Sequence, residues 1–241
     1  MQRPHGHQVP FEAVILAAGL GTRMGRPQPK PLTRLRSGRS IIRHQVEQLR
    51  ERFGPDLRVT VVVGFKMDLI IEANPDVGFV YNEVYDSTNT SKSLLRALDL
   101  TGDSAVLWLN GDVVFDPRLL DLVDEARRLG DSFVCVNTQA VGDEEVKYAL
   151  DADGAIRALS KTVPDALGEA VGINYVSSAD KAMLRARLRE CDDDDYFERG
   201  IEIAVEKDGA RFLPVDISAF PCVEVDVQED LDRANSFSAG P

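Results

Sequence analysis

Histidine and cysteine are scarce in this chain, with three of each among 241 residues. His5 and His7 sit in the first ten residues and His44 stands alone, so neither a histidine-based zinc site nor a Ser-His-Asp triad has the residues it needs. Cys135, Cys191 and Cys222 are far apart and carry no metal-ligand spacing. Three is also an odd count, which suits reduced thiols and a cytoplasmic protein better than a disulfide framework. Long apolar runs are missing as well: stretches such as Val59–Val63 fall far short of the ~20 residues that span a bilayer. The opening MQRPHGHQVP lacks the apolar core of a signal peptide. Positive charge is in deficit, with Lys+Arg 28 against Asp+Glu 40 and a net charge of -12. Such a surface repels nucleic acid and anionic membranes, so neither is expected as a partner. Basic residues gathered in loops against that background point to a small anionic ligand in a local pocket.

What is present is the alternation of an α/β protein. Strand-length apolar stretches at Ala13–Ala17, Val59–Val63, Phe79–Tyr81, Ala105–Leu109 and Phe133–Val136 alternate with helical patterns near Ile41–Arg52, Asp68–Ala73, Lys92–Leu100 and Arg118–Leu129. That order predicts a mostly parallel sheet with helices on both faces. Past residue 138 the pattern changes. Glu145–Leu150 and Ala155–Ser160 flank the turn signal DADG and read as a hairpin. A strand near Ala170–Val176, helices near Ala179–Arg189 and Tyr196–Glu206, strands at Phe212–Val215 and Cys222–Val225, and a helix from Glu229 complete the order. The expected organisation is an arm over 1–10, one domain over 11–235 and a tail over 236–241. Within the domain, the change of pattern divides 11–138 from 139–235. The acidic run Asp192–Asp195 reads as a solvated loop.

The stretch AVILAAGLGTRMGRPQPKPL, residues 13–32, runs a buried strand into a loop of glycines and cations. It is not a Walker A loop, because no Gly-x-x-x-x-Gly-Lys-Ser/Thr string occurs. Nor is it a dinucleotide fingerprint. Gly19, Gly21 and Gly25 are spaced one residue too long, and VTVVVGF lacks the acidic residue that holds a ribose.

The pattern Ala-Ala-Gly, x-Gly-Thr-Arg, then Pro-Lys-Pro-Leu resembles the signature of the sugar-nucleotidyltransferase-like superfamily. The resemblance implies a Rossmann-like fold: a mostly parallel mixed sheet flanked by helices, with a small β-hairpin lid over the acceptor. It implies that Leu16, Ala17, Ala18, Gly19, Gly21 and Thr22 lie against the nucleotide, while Arg23 and Lys30 grip its triphosphate as the catalytic cations. The physical chemistry agrees. Glycines let backbone N–H groups approach phosphate oxygens. Arg23 can fork onto two oxygens, Lys30 adds a point charge, and the flanking prolines stiffen its segment.

Further segments extend the likeness. WLNGDVVFD places Asp112, and VEVDVQEDLDRA places Asp226, where the superfamily binds Mg2+, a hard cation suited to carboxylates, waters and phosphates. VYNEVYDSTNTSKSLLRAL resembles cytidylyltransferases acting on small phosphorylated alcohols or phosphonates. There Asn89, Thr90 and Ser93 match residues that read the pyrimidine of CTP. GEAVGINYV brings Glu169 to the acceptor, and Lys161 matches a lysine that binds the acceptor's phosphate. Lys92 and Lys147 stand where choline enzymes carry aromatic or apolar residues. With one tryptophan, Trp108, placed mid-strand, an aromatic cage for a quaternary ammonium is poorly supplied. The three lysines therefore suggest an acidic phosphonate such as phosphonoformate. The rival readings are a phosphocholine or inositol-phosphate acceptor, a sugar-1-phosphate nucleotidyltransferase, and a non-catalytic nucleotide-binding homologue. Monomer and homodimer stay equally open.

Overall fold

The computed structural model describes residues 10–21, 28–139, 141–142 and 145–238. All but the last residue of the expected arm lies outside them. The first strand, β1 (Phe11–Ala17), is buried on both faces, as its unbroken apolar run requires. Its odd-numbered members Ala13, Ile15 and Ala17 enter one core cluster, while Val14 and Leu16 enter another. The period-2 alternation of a strand thus feeds two layers of helices.

Chain order then gives α1 (Ile41–Phe53), β2 (Val59–Val63), α2 (Met67–Ala73), β3 (Gly78–Tyr81), α3 (Thr90–Leu100) and β4 (Ala105–Asn110). There follow β5 (Val113–Phe115), α4 (Leu119–Leu129), β6 (Ser132–Asn137), the hairpin β7 (Lys147–Leu150) and β8 (Ile156–Ser160), and β9 (Gly168–Val176). The last elements are α5 (Lys181–Glu190), α6 (Phe197–Asp208), β10 (Phe212–Asp216), β11 (Cys222–Glu224) and α7 (Gln228–Phe237). The main sheet runs β10-β6-β9-β4-β1-β2-β3, with β7 and β8 joined to it through β9. β9 is antiparallel to both neighbours β4 and β6, and the rest of that path is parallel, so the sheet is mixed but mostly parallel as expected. Helices α1 and α4 cover one face, where Ile42, Val46, Leu49, Leu120 and Val123 meet the strands. On the other, Leu94, Leu98, Leu184, Leu188 and Ile201 do the same. Trp108 is fully buried in this second layer, edge-on to Phe197 at 5.5 Å between ring centroids.

Two features depart from the sequence reading. One is the two-stranded ladder of β5 and β11: Cys222–Val225 is expected as a strand, but the three apolar residues after Asp112 that pair with it are assigned no element in the sequence. The other is that the segment expected as a tail from residue 236 begins as helix. Helix α7 continues through Ser236 to Phe237, which packs with Leu231 and Ala234 over Val114, Val223 and Val225. These three residues recur at i, i+3 and i+6, so the helix end is docked rather than frayed.

Gly111, the residue between β4 and Asp112, donates its N–H to the Leu16 carbonyl at 2.9 Å. A Cβ there would sit 2.7 Å from that oxygen and 3.1 Å from Pro31 Cγ. Gly111→Ala is therefore expected to cost about 1–3 kcal/mol through backbone displacement. Urea unfolding checks this, and a cost near zero would mean that the loop accommodates the methyl freely.

Candidate active site

Antiparallel pairing of β5 with β11 unites residues more than a hundred positions apart. Val113 lies opposite Glu224, and the Val225 N–H donates to the Asp112 carbonyl at 3.0 Å. Asp112, Glu224 and Asp226 thereby bring one carboxylate oxygen each within 4.8 Å of one another. Glu224 went unrecognised in the sequence. Its signal was the Glu-Val-Asp spacing, since residues i and i+2 of an extended segment face the same side.

Lys30 enters this acidic cluster from a 3-10 turn over Lys30–Leu32 that begins after Pro29. Its Nζ donates to Asp112 Oδ2 and to Asp226 Oδ1, both at 2.5 Å. Burial works against the charge on Lys30, but the two aspartates outweigh it and hold the ammonium's pKa above its ordinary value. Glu224 moves in the opposite sense. The Asp112 carboxylate, and then burial, push its pKa well up, with Lys30 only partly offsetting them. Gly21 explains how the lysine is aimed. Its φ is +59°, and a Cβ there would lie 3.0 Å from Lys30 Cβ, so the loop needs glycine for both conformation and approach.

The cluster closes a cavity of about 350 Å3 lined on one side by Leu16, Ala17, Gly19 and Gly21, and on another by Asn89 and Thr90. Ala18 is buried in the second core cluster and does not line it. Thr22 and Arg23 lie outside the described residues. Asn89 caps α3, its Oδ1 accepting from Thr90 N at 2.8 Å, and its Nδ2 donates to the Asp194 carbonyl at 3.1 Å. Thr90 Oγ1 accepts from Phe197 N at 3.0 Å, which joins α3 to the start of α6. Ser93 does not reach the cavity. It is buried, and its Oγ accepts from Asn82 Nδ2 at 3.1 Å.

Beyond the carboxylates a smaller recess of about 80 Å3 opens toward the hairpin. Asn110, Tyr196, Glu198, Glu224 and Asp226 line both spaces. Of the lysines expected to meet an acceptor, only Lys161 lines the recess, its Nζ 5.1 Å from the centre of the Tyr196 ring. Lys92 is drawn away. Helix α3 starts two residues before the expected point, and from its first turn the Lys92 Nζ donates to the Cys191 carbonyl and lies 3.9 Å from Asp193. The Lys147 Nζ donates to the Lys161 carbonyl at 3.2 Å, and Glu169 Oε2 accepts from Gly142 N at 3.0 Å. Neither lines the recess. The convergence of three lysines that suggested an acidic acceptor is thus not found.

Its walls are acidic instead. Glu145 lines it, with a carboxyl pKa raised by burial, then by Glu169 and Asp226. Glu198 is 7% exposed, and burial pushes its carboxyl up from 4.5 to about 7. The native protein therefore holds a proton that the unfolded chain releases between those values, and its stability falls as pH rises through that window. The shift corresponds to about 3 kcal/mol of destabilisation above pH 7. Glu198→Gln should remove this loss, so variant and wild type should diverge in unfolding free energy between pH 5 and pH 8. Parallel pH profiles would contradict the assignment.

A family comparison decides what this arrangement belongs to: residues 13–194 match the MobA-like NTP transferase domain. The chain belongs to that family. The sequence is 37% identical over 123 residues to the CMP-5'-(3-aminopropyl)phosphonate synthase of Streptomyces rubellomurinus, covering 47% of the chain and 19% of the relative. It is 35% identical over 127 residues to the bifunctional protein GlmU of Granulibacter bethesdensis, covering 52% of the chain and 26% of that protein. The chain thus spans about a quarter or less of these relatives' lengths. Its fold is that of the inositol-1-phosphate CTP transferase from T. maritima, with a TM-score of 0.77, 17% identity and coverage of 95% and 96% of the two chains. The CTP:phosphocholine cytidylyltransferase from Streptococcus pneumoniae gives 0.73, 18%, 94% and 98%. No helix among the described residues is long and apolar enough to cross a membrane.

Proposed function

We propose that this NTP transferase moves the cytidylyl group of CTP onto a small phosphonate or phosphate acceptor and releases pyrophosphate. The observation that carries the reading is Lys30 held in the cavity between Asp112 and Asp226, the latter of which also lines the recess. An α-phosphorus at that junction would face the nucleotide loop on one side and the acceptor on the other. The likeness over 13–194 to nucleotidyltransferases and the phosphonate-linked relative support the same choice.

The donor set suits Mg2+. Three carboxylates offer hard oxygen ligands, and Asp112 Oδ1 is buried with no hydrogen-bond partner among the described residues. Asp112 and Asp226 would hold the ion, with Glu224 as a third ligand, and when bound it neutralises charge on the α-phosphate and the incoming oxygen. Lys30 would then turn from the aspartates to the α-phosphate and stabilise the charge that develops there. Arg23 would steady the β- and γ-phosphates. An acceptor phosphonate or phosphate is already ionised, so the chain need supply no general base; its contribution is positioning and charge.

Pyrophosphate release, measured with each NTP against phosphonates, phosphocholine, inositol phosphate and sugar 1-phosphates, tests the proposal. Phosphonoformate belongs in that panel as the acidic acceptor suggested by the sequence. CTP is expected to exceed UTP by at least about tenfold in kcat/KM. Preference for a purine triphosphate, or no release with any pair, would overturn the reading.

A further inference from the structure

The last residue of β4 sets an uncharged carboxamide on the wall shared by the cavity and the recess. We propose that Asn110 donates a hydrogen bond to a non-attacking oxygen of the acceptor's phosphonate or phosphate group. It thereby fixes the direction from which that group approaches the α-phosphorus. The inference rests on the cytidylyltransferase reading above and deepens it.

Strand register places the side chain. β4 and β9 pair as far as Leu109 and Ile173, and one step further brings Asn110 to Gly172, which lines the recess. Gly172 has a φ of +70°, and a Cβ there would lie 2.7 Å from Asn110 Nδ2. The glycine thus makes room for the amide, and the N–H end of Asn110 sits on the recess side. No protein group competes for the other end: Oδ1 is buried with no hydrogen-bond partner among the described residues. A carboxamide left unpaired beside an open space calls for a ligand to complete it. The main chain that carries it is braced from α1. Fully buried Gln45 donates through Nε2 to the carbonyls of Asn110, at 2.8 Å, and Val113, at 2.7 Å. Such bracing holds the amide ready without reorganisation on binding. Asp226 also lines both spaces but, as a carboxylate, has no hydrogen to offer an anion. Asn110 supplies N–H donors there without adding a charge.

The test follows pyrophosphate release at saturating CTP and Mg2+ with 2-aminoethylphosphonate, phosphonoacetate and phosphocholine as varied acceptors. In Asn110→Ala, kcat/KM for every acceptor used by the wild type is expected to fall by about 100-fold, because the contact is with the phosphorus-bearing group they share. Asn110→Ser, which keeps a short donor, should recover about tenfold, and Asn110→Asp should lose roughly 10³ or more through charge repulsion. Binding of CTP in Mg2+, read by calorimetry without acceptor, should stay within about threefold in the alanine and serine variants. Thermal melts establish folding; the serine and aspartate variants carry the comparison if the alanine variant does not fold. Acceptor kcat/KM within threefold of wild type, or CTP affinity falling as far as acceptor kcat/KM, would overturn the role of Asn110 and leave the cytidylyltransferase reading intact. No release by the wild type from CTP with any acceptor would overturn both.

Discussion

Replacing Lys30 with methionine is expected to lower kcat by roughly 10²–10³, equivalent to about 3–4 kcal/mol of transition-state stabilisation. Methionine keeps most of the side chain's volume, so the effect isolates the charge. The same variant should gain affinity for Mg2+ by about tenfold, because the ammonium that lies 2.5 Å from Asp112 and from Asp226 competes for the oxygens an ion would use. Without a divalent cation, the three clustered carboxylates would lose their neutralising partner and the melting temperature should drop. Adding Mg2+ should restore it. Calorimetric titration and thermal melts in EDTA and in Mg2+ read the competition directly, apart from turnover. Near-normal kcat in the variant would remove Lys30 from the chemistry, and unchanged Mg2+ affinity would show that lysine and ion do not share those ligands.

The second large effect concerns the aspartates themselves. Asp112→Asn and Asp226→Asn should each reduce kcat by roughly 10² or more at fixed Mg2+, but the double variant should lose far less than the product of the two. Both side chains serve one cation and one lysine, so the first substitution already destroys most of what the second could remove. The stabilisation of the protein by Mg2+, read as a rise in melting temperature, should be weakened in each single variant and absent in the double. Losses that multiply, or a Mg2+-induced rise that survives in the double variant, would mean that the two carboxylates act separately.

How far the sequence could be read depended on how local each signal was. The apolar runs of β1, β2 and β4 needed no partner to be recognised, since buried strands of a parallel sheet are continuous in sequence. Lys30 and Asp112 were legible through their resemblance to the superfamily's motifs, and they meet in space. Glu224 was missed because its neighbour across the ladder, Val113, lies in a three-residue strand too short to register as periodic. Lys92 and Ser93 lie away from the surfaces expected of them for a different reason. Where a side chain on a helix points depends on the helix start and on what packs there. The 191–195 loop sits on that start, with Asn89 N and Ser91 N donating to the carbonyls of Asp193 and Asp195. An acidic run that read as solvent-facing thus contributes its backbone to capping α3, and it takes Lys92 with it. Glu198 carried no sequence signal at all. Only the folded chain shows that a glutamate two residues after Tyr196 is buried against an open space.

In the proposed reaction an acceptor oxygen attacks the α-phosphorus of CTP. Phosphorus NMR of the protein with CTP, Mg2+ and 2-aminoethylphosphonate tests it most directly. The expected result is a new pair of coupled resonances from a phosphonate–phosphate anhydride, growing in step with pyrophosphate and with loss of the free phosphonate signal. CMP and pyrophosphate accumulating while the phosphonate signal stays constant, or inorganic phosphate appearing instead of pyrophosphate, would contradict it.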